Sequence, residues 1–427
     1  MYDKGTAEVR IDKLVFGGQG IGRLEDGRVA FVWNALPGEV VRVNVKKQKK
    51  THIECVAVEI LKPSPSRIVP EEPWYLSTSP FAMMSFEEEQ RQKKEMAKEV
   101  YERAGITVDV GAVETDGRIA GYRNKMEFSF VEGADGLPAL GFHERGGRGL
   151  FAIDRSVLCD DVVNETANAV LAWTREQRIP LRSLKSVIVR SNGAGQSVAG
   201  LFIKDRLSFS SFPVLNDGFL GFDIYYSTHK SPASVPTALL KHIGSEKLTA
   251  TILGKKFSFG LFSFLQVNIP VYEKMLGDLS SFLIADEAIT DFYSGIGSIG
   301  ISVSPRDSLL TLVESEKTAV NFAEENARAN GLDNVRIFEA LAEDAVSEIP
   351  NDRALIVDPP RAGLHPDVVK MILEKLPPTI FYLSCDLATQ ARDLVLLQVA
   401  YEIQRIKLYN FFPRTPHIES LVALKRR

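Results

Sequence analysis

Three cysteines in 427 residues, Cys55, Cys159 and Cys385, are too few and too widely spaced for a disulfide framework or a paired-thiol metal site, so each thiol must be judged alone. No apolar run reaches the roughly 20 residues needed to cross a bilayer, and the stretch from Met1 to Phe16 lacks the apolar core of a secretory leader. No tract is of low complexity, and neither sign of charge dominates, since the net charge is −4. That balance excludes a long-range basic field and leaves any nucleic-acid contact to local patches. What is present, 45% apolar and 25% charged residues, is the composition of a globular protein. A cytoplasmic location is expected, with no membrane and no protein partner. At about 150 residues per domain, the length gives two or three units.

Residues 1–62 alternate apolar and polar positions and are broken by glycine turns and by Leu36-Pro37-Gly38, which reads as a small five-strand, OB-like β-barrel. Barrels of this kind often hold nucleic acid. The strand ending at Val45 runs into the basic cluster Lys46-Lys47-Gln48-Lys49-Lys50. Pro63 and Pro65 mark a linker. Residues 63–255 form a central α+β unit: a helix over Phe86 to Tyr101, mostly strands from about Tyr122 to Ile224, and a helix around Asp160 to Glu176. Two of its segments, Tyr122-Arg123-Asn124-Lys125 and Glu144-Arg145-Gly146-Gly147-Arg148, suit phosphates and structural turns about equally. Over 256–427, from about Leu265, strand, glycine loop and helix alternate, the pattern of a doubly wound, Rossmann-like α/β sheet.

Chemistry concentrates in this last unit. Asp291-Phe292-Tyr293-Ser294-Gly295-Ile296-Gly297-Ser298-Ile299-Gly300 stands where a strand turns into a helix, and Glu314, ending the next strand, is placed to hold ribose hydroxyls. Read literally, Gly295-x-Gly297-x-x-Gly300 also permits a NAD-dependent oxidoreductase. The motif's place in the last third of the chain, and Asp358-Pro359-Pro360-Arg361 after a later strand, favour a methyltransferase. An exocyclic-amine methyltransferase would want an aromatic where Arg361 stands. Cys385 ends another apolar strand at the same sheet edge. A cysteine there suits attack on carbon 6 of a pyrimidine, which makes carbon 5 nucleophilic. The base that then takes the carbon 5 proton is either His417 or Glu419.

At SFLQVN (263–268), DFYSGIGSIG (291–300), VE (313–314), DPPRAGL (358–364), YLSC (382–385) and FFPRTPHIE (411–419) the sequence resembles the uridine carbon 5 methyltransferases of RNA, and its first sixty or so residues resemble their TRAM domain. The resemblance implies S-adenosylmethionine as methyl donor, Cys385 as nucleophile and Glu419 as base. It implies that Gln266, Tyr293, Glu314 and Asp358 line the donor site, with Asp344 facing the adenine, and that no metal takes part. It implies an RNA substrate with the target base flipped out of its stack. Ribosomal RNA is favoured over tRNA because many tRNA-acting members lack the barrel. Three departures stand out. Many members carry a four-cysteine iron–sulfur cluster, but Trp74 to Pro80 has no cysteine and only Cys159 matches a ligand, so no cluster is expected. Asp386-Leu387 follows Cys385 where the family often has Asn-Pro, which leaves a catalytically silent RNA-binding relative as an alternative. Ser294 replaces a common cysteine.

Overall fold

The computed structural model describes residues 6–107, 109–147, 149–230, 234–284 and 287–427; Arg148 of the glycine–arginine segment lies outside them. Five strands, Thr6–Leu14, Gly20–Arg23, Val29–Trp33, Val40–Gln48 and His52–Lys62, close into a barrel in which the last lies between the third and the fourth. Successive side chains of a strand face opposite sides, and so Val9, Ile11, Val32, Val41, Val43 and Ile53 fill the barrel interior. The fourth strand continues past Val45 to Gln48 because Lys47 and Gln48 still pair with Glu54 and Ile53. The lysine cluster thus begins on the barrel wall. The glycine turn after the first strand docks on the far end of the chain: a β-carbon on Gly18 would lie 2.5 Å from Pro416.

Ser85 caps the Phe86–Arg103 helix by accepting the Glu88 amide, and three glutamates fill the first turn, where the helix dipole favours them. This helix packs on the Leu387–Leu397 helix and adds Ala97 and Tyr101 to the core of the C-terminal unit. Val113–Glu114 then extends that unit's sheet alongside Tyr401–Tyr409. Residues 86–114 therefore belong in space with the last third of the chain. An apolar stripe announces that a helix is covered but not by what.

Seven strands form the central sheet, in the order Ala238–Gly244, Phe219–Tyr226, Ser197–Ile203, Leu184–Ser191, Lys125–Glu132, Pro138–His143 and Leu150–Ala152. The Asp161–Glu176 helix packs against it, capped by Asp160.

The C-terminal sheet has eight strands, in the order Val335–Glu339, Leu310–Glu314, Ile289–Phe292, Ala354–Val357, Thr379–Ser384, Glu419–Arg426, Tyr401–Tyr409 and Val113–Glu114. The first five are parallel, and Glu419–Arg426 runs antiparallel to Thr379–Ser384. Alternate residues serve two cores: Leu312, Ile356 and Phe381 face one, and Val313, Val357 and Tyr382 face the other. Helices cover both faces, which gives the expected doubly wound α/β class. The chain leaves Ile289–Phe292 toward one edge and resumes at Ala354–Val357 on its other side. The crevice outside the carboxyl ends of these strands is a topological switch point, where open α/β sheets bind ligands. Among the described residues no helix is long and apolar enough to cross a membrane.

Candidate active site

Every strand that ends at the switch point contributes a side chain. Tyr293 follows Ile289–Phe292 with φ of +62°, a left-handed backbone that a bulky residue rarely adopts and that marks a forced turn. The glycines after it do different jobs. A β-carbon on Gly297 would lie 2.6 Å from Ile301, and one on Gly300 2.9 Å from Asp291 Oδ2, whereas one on Gly295 would meet open space. Gly297 and Gly300 therefore allow the loop to fold on itself, and Gly295 leaves backbone bare toward the crevice. Asp291 fastens the loop: its buried carboxylate accepts the Gly300 N–H at 2.9 Å, and burial raises its pKa to about 8.

Glu314 braces the same loop from the next strand. Its Oε2 accepts the Gly295 N–H at 2.9 Å, and its Oε1 accepts the N–H groups of Ser315 at 2.7 Å and Glu316 at 2.8 Å. Oε2 keeps a lone pair for a further donor. Across the crevice, the Asp358–Leu364 loop is held by Asp393, whose Oδ2 accepts from the Leu364 N–H at 2.8 Å and the Tyr382 hydroxyl at 2.7 Å. Gly363 permits the approach, since a β-carbon there would lie 2.6 Å from that oxygen. Gln266 arrives from outside the sheet. Its segment is held by the central unit: the Asn124 side-chain amide donates to the Gln266 carbonyl at 3.2 Å, and buried Arg190 donates to the Leu265 carbonyl at 3.0 Å.

The antiparallel return strand completes the site. Its register pairs Ser384 with Ser420, so Cys385 and Glu419, one step beyond each, meet at the same edge. Gln266, Tyr293, Glu314, Asp358, Cys385 and Glu419 wall one cavity of about 630 Å³. Asp344 does not. The turn closed by its N–H on the Leu341 carbonyl presents Ala342 and Glu343 to the cavity and leaves Asp344 exposed outside it. Glu343 lines the cavity where Asp344 was expected to, because counting along a sequence does not fix which side of a turn faces inward. His417 is likewise outside this cavity and lines a neighbouring one.

Among the cavity residues to which the sequence assigned no role, Phe264, Leu341 and Arg361 matter most to its chemistry. Phe264 and Leu341 are 66% and 50% exposed on the cavity wall, an apolar flank beside the carboxylates. Arg361 stands against the thiol, and it had served only to set aside an amine methyltransferase. Burial, then the charges of Glu419 and Asp358, push the Cys385 thiol up to about 11, while Arg361 opposes them by charge and hydrogen bond. Burial raises Asp358 to about 7 and Glu419 well above the ordinary carboxylate range, with no hydrogen bond from the described residues to relieve it. A raised thiol pKa means that the reactive thiolate grows with pH. Iodoacetamide labelling of Cys385 in the RNA-free protein is therefore expected to quicken about tenfold per pH unit from neutrality toward the thiol pKa. Cys55 and Cys159 do not compete, being 1% exposed. A labelling rate that levels off near pH 8, followed by peptide mass, would contradict this.

The loop leading into Glu419 is anchored by a buried cluster invisible in the sequence. Lys93 and Glu89, one turn apart on the Phe86–Arg103 helix, are both wholly buried and 2.9 Å apart. Lys93 Nζ donates to Asn410 Oδ1 at 2.6 Å and to the Phe412 carbonyl at 3.1 Å. Glu89 accepts the Arg414 N–H at 3.0 Å and the Asn410 side-chain amide at 3.0 Å. Arg414, at φ +64°, is the strained residue these bonds hold. Ser77 and Thr78 stand in the stretch where the family often has cluster cysteines, and Cys159 is buried and bridges to Arg123.

Known RNA methyltransferases resemble this chain in sequence and in fold. Residues 245–427 match the family described as tRNA (uracil-5-)-methyltransferase, and residues 4–52 match the TRAM domain. A 23S rRNA (uracil(1939)-C(5))-methyltransferase of Chromohalobacter salexigens is 29% identical over 99% of this chain and 90% of its own. An uncharacterized RNA methyltransferase of Caldanaerobacter subterraneus is 27% identical over 98% of both chains. The tRNA (uracil-54, C5)-methyltransferase of Pyrococcus abyssi, solved with S-adenosyl-L-homocysteine, has the same fold at a TM-score of 0.80 and 23% identity, over 98% of this chain and 100% of that one.

Proposed function

From the premise that this chain belongs to the RNA uracil-C5 methyltransferase family and carries a TRAM domain, we propose that it methylates carbon 5 of a uridine in RNA, 23S rRNA foremost, through a covalent cysteine adduct. The observation that carries this is the register that sets Cys385 against Glu419 in the cavity that also holds Glu314. The donor set fits S-adenosylmethionine. Gly295 leaves bare backbone, Glu314 offers an acceptor for a ribose hydroxyl, Phe264 and Leu341 offer apolar surface for an adenine, and Asp358 and Gln266 border the thiol side. When bound there, the donor supplies an electrophilic methyl group on a sulfonium.

The residues of the chain do the rest. Cys385, its proton lost to water with Arg361 stabilising the thiolate, adds to carbon 6, and the C5–C6 π electrons move to carbon 5. The electron pair at carbon 5 would then take the methyl group, the S–C bonding pair staying on the donor sulfur, which would leave as a neutral thioether. Glu419 then removes the carbon 5 proton, the double bond re-forms and the C6–S bond breaks, returning the thiolate. A dry carboxylate is a stronger base than one in water, which suits this last step.

The test is incubation with methyl-labelled S-adenosylmethionine and unmodified 23S rRNA or tRNA transcripts, followed by nucleoside analysis. 5-Methyluridine in 23S rRNA is expected. Since the Pyrococcus abyssi tRNA enzyme aligns across the barrel as well, labelled tRNA alone would move the assignment to tRNA, and no labelled nucleoside would overturn it. Glu314→Gln retains an oxygen for the Gly295 amide but loses the charged acceptor. It is expected to weaken S-adenosylmethionine binding by about 10- to 100-fold, the worth of one hydrogen bond to a charged group. An unchanged Kd in calorimetry would remove Glu314 from the donor site.

A further inference from the structure

Behind Thr415, Pro416 and His417 lies a second cavity, of about 350 Å³, which the reaction above does not use. Its described lining brings together the cations Arg123 and Arg145, with His143, with His417 kept neutral by burial that lowers its pKa to about 4, with apolar surface from Met126 and Phe142, and with no carboxylate. In a chain of net charge −4 such a grouping is a local basic site. The cations are held in place. Arg123 lies 5.5 Å above the Phe412 ring, and its Nε is buried with no hydrogen-bond partner. Arg145 lies 4.4 Å above Trp33 of the barrel and donates through Nε to the Leu76 carbonyl at 2.7 Å. His417 and Glu419 set the two cavities on either side of one short loop.

A flipped uridine stays joined to its neighbours, whose phosphates and splayed base must rest on protein within a nucleotide's length of the catalytic cavity. Arginine meets phosphate through several N–H donors at once, and an aromatic ring offers a base a face to stack on. We propose that this cavity is a second nucleotide subsite that takes a ribonucleotide adjoining the target uridine, with Arg123 and Arg145 on its phosphate and Phe142 against its base. The inference rests on the RNA methyltransferase reading but involves different residues.

Binding of hexauridylate is measured by fluorescence anisotropy over a range of salt, for wild type, Arg123→Met, Arg145→Met and Met126→Trp, whose indole fills the cavity. Lys256→Met, remote from both cavities, controls for loss of charge. S-Adenosylmethionine affinity is measured alongside as a check of folding. Each arginine variant is expected to bind hexauridylate about tenfold more weakly, with the slope of log K against log salt smaller by about 0.7, one phosphate's share. Met126→Trp is expected to weaken binding, and Lys256→Met to leave it unchanged. Wild-type affinity and slope in both arginine variants would overturn the proposal, as would failure of wild type to bind hexauridylate at millimolar concentration. If Arg123→Met loses S-adenosylmethionine binding, Arg145→Met and Arg123→Lys decide instead. Wild type that methylates no RNA, with variants that still lose hexauridylate binding, would overturn the reaction and leave the subsite standing.

Discussion

Cys385→Ala is expected to lower single-turnover methyl transfer to RNA by on the order of 10⁴-fold or more, the scale on which loss of a covalent nucleophile acts. The fold should be kept. The thiol is only half buried at a strand end, and alanine there leaves the cores on both faces of the sheet intact. The alanine variant should therefore bind S-adenosylmethionine as wild type does. Retention of a tenth of the wild-type rate would exclude the adduct. Glu419→Gln separates the two halves of the reaction. Without a base the methylated adduct cannot eliminate, so a protein–RNA species stable to denaturing electrophoresis should accumulate, and adding Cys385→Ala should abolish it. Free 5-methyluridine product from Glu419→Gln at the wild-type rate would assign the base elsewhere.

Lys93→Met is expected to cost about 3 kcal/mol of stability, because it removes the nearer of the two cations beside the buried Glu89 carboxylate and leaves only Arg414, 3.7 Å away. The loss should be felt at the catalytic loop, since Lys93 also binds Asn410 and the Phe412 carbonyl. Hydrogen exchange across residues 410–419 should rise together with the fall in thermal stability. A variant as stable as wild type, with unchanged exchange there, would show that the ion pair is dispensable.

How far the site was legible depended on the kind of signal each residue sends. Glycines spaced 295, 297 and 300 after an apolar strand, an acid ending the next strand, and a cysteine ending a later one can be read because strand ends at one sheet edge share a ligand. Resemblance supplied Gln266, whose segment lies outside the sheet. Phe264 and Arg361 lie inside matching segments, but nothing in their residue type assigned them a role. One is an apolar residue left exposed by the fold, and the other a charged residue among many. The burial of Glu89 and Lys93 left no mark in the sequence, since their one-turn spacing is the same whether a helix face meets water or protein. Asp344 lies outside the cavity and Glu343 inside it because turn geometry, not count, decides which residue faces inward.

The sequence by itself determined the barrel, the alternation of strand and helix, and the identities of thiol, carboxylates and glycine loop, because these follow from periodicity of two or 3.6 residues and from chemistry intrinsic to a side chain. Only the tertiary structure decided which groups meet. The register of the antiparallel return strand with Thr379–Ser384 sets Glu419, and not His417, in the cavity beside Cys385. The docking of the Phe86–Arg103 helix buried a Lys–Glu pair beneath the catalytic loop. Both are long-range contacts between segments whose local patterns carry no information about each other.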